Sequence, residues 1–102
     1  MQPPESDYEL IAASATDQIC GPTGHVGDVL TRLIIVPETT GAGTVAIQDG
    51  DGTAINVFIA GTLSDLHTIV IEIGARCVNA TTPGWSVTTG ANVHVLAVGR
   101  FT

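Results

Sequence analysis

Apolar and polar residues alternate in short bursts along this chain, and each burst closes on a turn-forming residue. Ile69, Ile71 and Ile73 share one parity, with Val70 and Glu72 on the other, the period of two that sends side chains to opposite faces of a strand. The same pattern predicts strands over 8–14, 29–36, 44–48, 53–60, 67–73, 77–80, 85–88 and 93–98. Between them lie the glycine loop 21–27, Pro37, the turns 39–43 and 61–65, Gly74, Pro83-Gly84 and Gly90-Ala91-Asn92, residues that supply positive φ or withhold a ladder donor. Asp49-Gly50-Asp51-Gly52 between two apolar runs is the plainest hairpin signal. No segment shows the three-and-four recurrence of a capped amphipathic helix. Seven to nine short strands in 102 residues predict an all-β chain, a jelly-roll-like antiparallel β-sandwich. Residues 1–9 read as an extended N-terminal arm, because Pro3 and Pro4 disfavour helix and ladder alike. Residues 10–102 read as a single β-sandwich domain.

Several strands are apolar on both faces. Leu33, Ile34, Ile35 and Val36 run without a polar interruption; Val93, Val95 and Ala97 back onto His94, Leu96 and Val98; Ile55, Val57 and Ile59 back onto Phe58 and Ala60. A two-layer sandwich buries only the inner face of each sheet. The second faces need another cover, and a neighbouring subunit supplies it. Leu33, Ile35, Phe58, Trp85, Leu96 and Val98 are the candidate interface residues.

Composition strengthens this reading. Isoleucine and valine number 21 against six leucines, and 14 threonines add to the β-branched excess, which suits a pleated surface. The chain is 44% hydrophobic and 13% charged, where soluble domains carry about 25% charge. Ten acidic residues face three arginines, with no lysine, for a net charge of −7. Arg32, Arg76 and Arg100 are far apart in sequence, so nucleic acid is not an expected partner, since phosphate binding needs clustered cations. No run of eighteen apolar residues and no basic, apolar leader is present, so neither a membrane span nor a secretion signal is expected.

Candidate chemistry is thin. Cys20 and Cys77 match no zinc spacing and read as small buried free thiols of a protein made in a reducing cytoplasm. The Asp-Gly repeat lacks the glycine and glutamate a calcium loop would need at positions 54 and 60. His25, His67 and His94 share no metal-ligand spacing. No Gly-x-Ser-x-Gly elbow surrounds Ser14, Ser64 or Ser86. Neither an enzyme nor a cofactor is expected, and Trp85 reads as a core or interface anchor.

From about Ala12 onward the chain resembles a family of small structural proteins of tailed bacteriophages. The likeness lies in Ala12-Ala13-Ser14-Ala15-Thr16-Asp17-Gln18 with the glycine loop, Leu33-Ile34-Ile35-Val36-Pro37 with Thr39-Thr40, Val45-Ala46-Ile47-Gln48-Asp49-Gly50, and Trp85-Ser86-Val87-Thr88-Thr89-Gly90-Ala91-Asn92-Val93 with Val98-Gly99. The resemblance implies a head decoration, or cement, protein: a jelly-roll-like domain that assembles as a trimer on the capsid exterior, with the major capsid protein as its second partner. It implies no catalytic residues. The N-terminal arm is then a segment that orders on the shell. A tail-associated role and a lectin-like, glycan-binding sandwich are the alternatives.

Overall fold

Eight antiparallel strands build two four-stranded sheets in the computed structural model, which describes residues 7–59 and 66–102. They are β1 (Asp7–Ile11), β2 (Gln18–Ile19), β3 (Val29–Pro37), β4 (Val45–Asp49), β5 (Ile55–Phe58), β6 (Ile69–Arg76), β7 (Trp85–Thr89) and β8 (Val93–Arg100). One sheet has the order β1-β8-β3-β6, the other β2-β7-β4-β5. The chain is thus an all-β sandwich. Its 5550 Å² of accessible surface is close to the roughly 5400 Å² expected of a monomeric protein of this mass.

The inner faces meet as alternation requires. Ile11, Leu30, Leu33, Ile35, Val93, Val95 and Ala97 come from the first sheet, Val45, Ile47, Trp85 and Val87 from the second. Cys20, Ala42 and Cys77 close the core from the loops. Thr89 is buried, and its hydroxyl donates to the Ala12 carbonyl and accepts from the Ala15 N–H. That pair of bonds satisfies backbone groups of the 12–15 connection where it passes over the sandwich.

Several boundaries differ from the sequence expectation, for local reasons. β1 starts at Asp7, so Asp7, Tyr8 and Glu9, read as the end of the arm, already pair with Gly99, Val98 and Ala97; residues 1–6 lie outside the described residues. The two-residue β2 escapes a pattern reading because so short a run has no periodicity. Gly74, expected to end a strand, sits inside β6 at φ +63°. There it takes up an extra residue, since Leu30 pairs with Ala75 but Arg32 with Glu72, a β-bulge that glycine makes easy. Position 60 and the turn at 61–65 lie outside the described residues.

Residues 77–80, expected as a strand, form a loop that docks on the β4–β5 turn. The Asp49 carboxylate accepts the Val78 and Asn79 N–H groups at 3.0 and 3.2 Å, so these donors are satisfied by a side chain in place of a ladder. The Asn79 amide donates to Asp51 at 2.7 Å, and its oxygen accepts from Thr81 and Thr82 N–H. Gly50 fits under this loop at φ +61°, where a Cβ would collide with the Thr82 carbonyl oxygen.

Candidate interaction surface

The outward face of the first sheet can be assembled row by row from the strand register. In the middle row Leu10 pairs with Leu96, Leu96 with Ile34 and Ile34 with Val70. An apolar band therefore crosses all four strands. Its ends are open to solvent, Leu10 at 59% and Val70 at 56% exposure. The next row runs Tyr8, Val98, Arg32, Glu72, with Tyr8 70% exposed and Arg32 Nε donating to Glu72 at 3.1 Å. Beyond it, Arg76 and Arg100 flank Val29. At the opposite end Val36 pairs with His94, whose Nδ1 lies 2.7 Å from a Glu38 carboxylate oxygen.

This map relocates the candidate interface residues. Leu33 and Ile35 have no exposure and Trp85 only 5%, so they pack against the chain's own core. Parity is the reason: in β3 it is Ile34 and Val36 that look outward. Phe58 is half-buried against the core edge. Leu96 and Val98 do lie on the outward face, half-buried among their neighbours. Tyr8, Leu10 and Val70 belong to the same face; the strand pattern alone does not mark them as interface residues, because each sits in a strand that looks ordinary until its neighbours are known.

The face is also where the positive charge gathers. All three arginines of the chain lie on it, although they are 44 and 24 positions apart in sequence. Of the ten acidic residues, Glu72 stands on this face and Glu38 at its rim. Arg76 and Arg100 are exposed and make no ion pair among the described residues.

The second sheet's outward face is polar by contrast. Ser86 pairs with Gln48, Thr88 with Ala46 and Ala46 with Asn56, and Thr88 donates to Asp17 at 3.0 Å. Ile19, paired with Ser86, is an exposed apolar residue of this face, whereas the exposed Ile55 pairs with the core residue Ile47 and so belongs to the open edge of the inward face. The two sides of the sandwich therefore differ in kind.

The remaining polar groups are held in structural bonds. Cys20 and Cys77 are buried free thiols. Burial, with the Glu9 and Asp28 charges nearby, pushes the Cys20 thiol up to about 12; burial and a hydrogen bond to Asp49 raise Cys77. At neutral pH both are protonated and poor nucleophiles. For Asp49, burial pushes upward, but hydrogen bonds from Cys77, Val78 and Asn79 outweigh it and leave the carboxyl below its usual value. His25 bonds the Val26 carbonyl and His67 is exposed. Trp85 Nε1 has no acceptor among the described residues. These residues also hold no group of three or more potential metal ligands and no helix long and apolar enough to cross a membrane.

An open hollow of about 440 Å³ lies beside the edge strand β1, lined by Asp7, Tyr8, Glu9, Gly21, Pro22 and Phe101. Asp7 accepts the Phe101 N–H, while Glu9 accepts the Gly21 N–H and the Gln18 amide. Asp28, buried nearby, accepts from the His25 and Thr102 N–H groups and the Thr102 hydroxyl. All three carboxylates are held by neutral donors. No family model, curated protein or solved structure matches the chain.

Proposed function

We propose that this chain is a non-enzymatic structural protein of the capsid decoration type, which self-associates, as a trimer, and attaches to the outer surface of a phage shell. The observation that carries the reading is the apolar band Leu10–Leu96–Ile34–Val70 across the outward face of a sheet whose inward face is already used by the core. Contiguous apolar surface on one side, with a polar opposite side, is the pattern of a protein that is covered by another. Strand order supports the jelly-roll form of the fold. β1–β8, β2–β7, β3–β6 and β4–β5 pair as if one long hairpin had been wound up, with β3 laid on β8 and β4 on β7.

Sedimentation of the full chain at micromolar concentration tests the self-association. A discrete oligomer is expected, and Leu10→Glu with Val70→Glu should dissociate it while the monomer stays folded, since both side chains are exposed. A strict monomer overturns the reading. Electron microscopy of whole particles tests the location, with copies expected on the outer shell surface; copies confined to the tail would favour the tail-associated alternative.

Exposed Tyr8 beside the β1 hollow favours a second reading, glycan binding, because an aromatic ring next to carboxylates is a common sugar platform. Asp7 and Glu9 already serve backbone and amide donors there, which leaves them fewer free acceptor sites. A glycan-array signal abolished by Tyr8→Ala would support this second reading.

A further inference from the structure

Resting on the self-association reading, we infer that the contact between copies is head-to-tail: the arginine-bearing apolar face of one copy receives the acidic β1 edge of the next, and the repeat closes into a ring. Charge separation within the chain carries the argument. A molecule of net charge −7 keeps all its arginines on one sheet face, two of them exposed and without an ion pair among the described residues. Placed face to face on an identical surface, these arginines would find, among the described residues, the carboxylates of Glu72 and Glu38, each already bonded within its own chain.

The complementary surface exists elsewhere on the same chain. Asp7 and Glu9 line the hollow at the β1 edge, and Asp28 lies just behind it. None of the three has a cationic partner among the described residues. Beside this edge, burial first and then the Glu9 and Asp28 charges raise the Cys20 thiol. Tyr8 and Leu10 stand on the same strand and continue the apolar band to this edge, so the contact joins grease to grease as well as charge to charge.

The places of the two surfaces on the chain suit a ring. A sheet face and the edge of that same sheet point in different but not opposite directions. Repeating such a contact turns each copy relative to the last, as a ring requires, and the discrete oligomer proposed above corresponds to a rotation that closes; a rotation that does not close, or a contact between opposite faces, would propagate a filament.

Two variants separate this arrangement from a symmetric one. Arg76→Glu with Arg100→Glu disables the face, at exposed positions. Asp7→Asn with Glu9→Gln neutralises the edge while keeping the oxygen acceptors that Phe101 and Gly21 use. By sedimentation at 50 mM NaCl, the face variant alone should be monomeric, its dissociation constant raised at least about a hundredfold, in line with coupling across close interfacial charge pairs. The edge variant alone should also assemble more weakly than the parent. Mixed in equal amounts, the two retain one intact contact and should form a 1:1 complex of parental affinity that grows no further. If the edge variant assembles like the parent, or the mixture yields no 1:1 complex, the head-to-tail contact is wrong while self-association stands. A monomeric parent chain removes both. Circular dichroism and melting check that each variant folds; Arg76→Gln with Arg100→Gln replaces the charge reversal should the first pair fail to fold.

Discussion

Replacing either of two adjacent isoleucines in β3 should have opposite consequences. Ile35 has no exposure and sits in the cluster with Leu33, Val45, Val87 and Val95. Ile35→Ala removes three carbons from that cluster, about 2.4 kcal/mol of transfer free energy at roughly 0.8 kcal/mol per methylene. The cavity left between two sheets adds to this, for a total of about 3–4 kcal/mol. For a domain of this size that lowers the melting temperature by roughly 15–25 °C. Ile34, one residue earlier, faces outward beside Leu96 and Val70. Ile34→Ala should cost the isolated chain only about 0.5–1 kcal/mol, the scale of strand preference, yet weaken the proposed assembly, because the lost carbons lie in the apolar band. Urea titration at a concentration low enough to dissociate any oligomer reads the first quantity, and sedimentation at higher concentration reads the second. Equal losses in the dissociated chain would refute the parity on which the surface map depends. So would unchanged assembly in Ile34→Ala for the claim that this band is covered.

Gly50→Ala should destabilise by at least about 2 kcal/mol in denaturant titration, because the new methyl meets the Thr82 carbonyl at a positive φ; a neutral outcome would mean that the 77–84 loop does not dock on the turn. Asp49 titrates below its ordinary value of 3.8 in the folded chain. Its contribution to stability is therefore fully present above that pH and lost as pH falls through the folded value. Asp49→Asn should be less stable than the parent at pH 6 and converge with it in strong acid, and a constant difference in melting temperature across pH 2–6 would contradict the assignment. Cys20 should resist thiol-reactive disulfide reagents at pH 8 in the native protein and react once the chain is unfolded in guanidinium, since burial holds its thiol near 12. Rapid labelling of the native protein at Cys20 would show that the core opens there.

The strong asymmetry between the two sides has a simple energetic meaning. Exposed Leu10, Val70 and Tyr8 on one sheet face forgo the roughly 25 cal/mol per Å² that covering them would return. The opposite sheet, lined by serine, threonine, glutamine and asparagine, forgoes little. Covering the first face would therefore return more free energy than covering the second.

Alternation of Ile and Val with polar neighbours, punctuated by Gly, Pro and Asp-Gly, was enough by itself to make this chain an antiparallel sandwich, since the period of two and the turn residues are local properties. It also announced surplus apolar faces in β3 and β8. It misplaced Leu33 and Ile35 at an interface, because Leu33 to Val36 is apolar throughout and periodicity cannot choose its inward parity; only the packing of the two sheets around one core buries Leu33 and Ile35 and leaves Ile34 outside. Strand 77–80 failed to form because Asp49, distant in sequence, claims its N–H groups. The gathering of Arg32, Arg76 and Arg100 on one face is likewise a product of strand order, which brings β3, β6 and β8 side by side. Local periodicity encodes the direction of each side chain relative to its own strand, whereas neighbours across a sheet are chosen by long-range pairing, and a surface made from four strands exists only once that pairing is made.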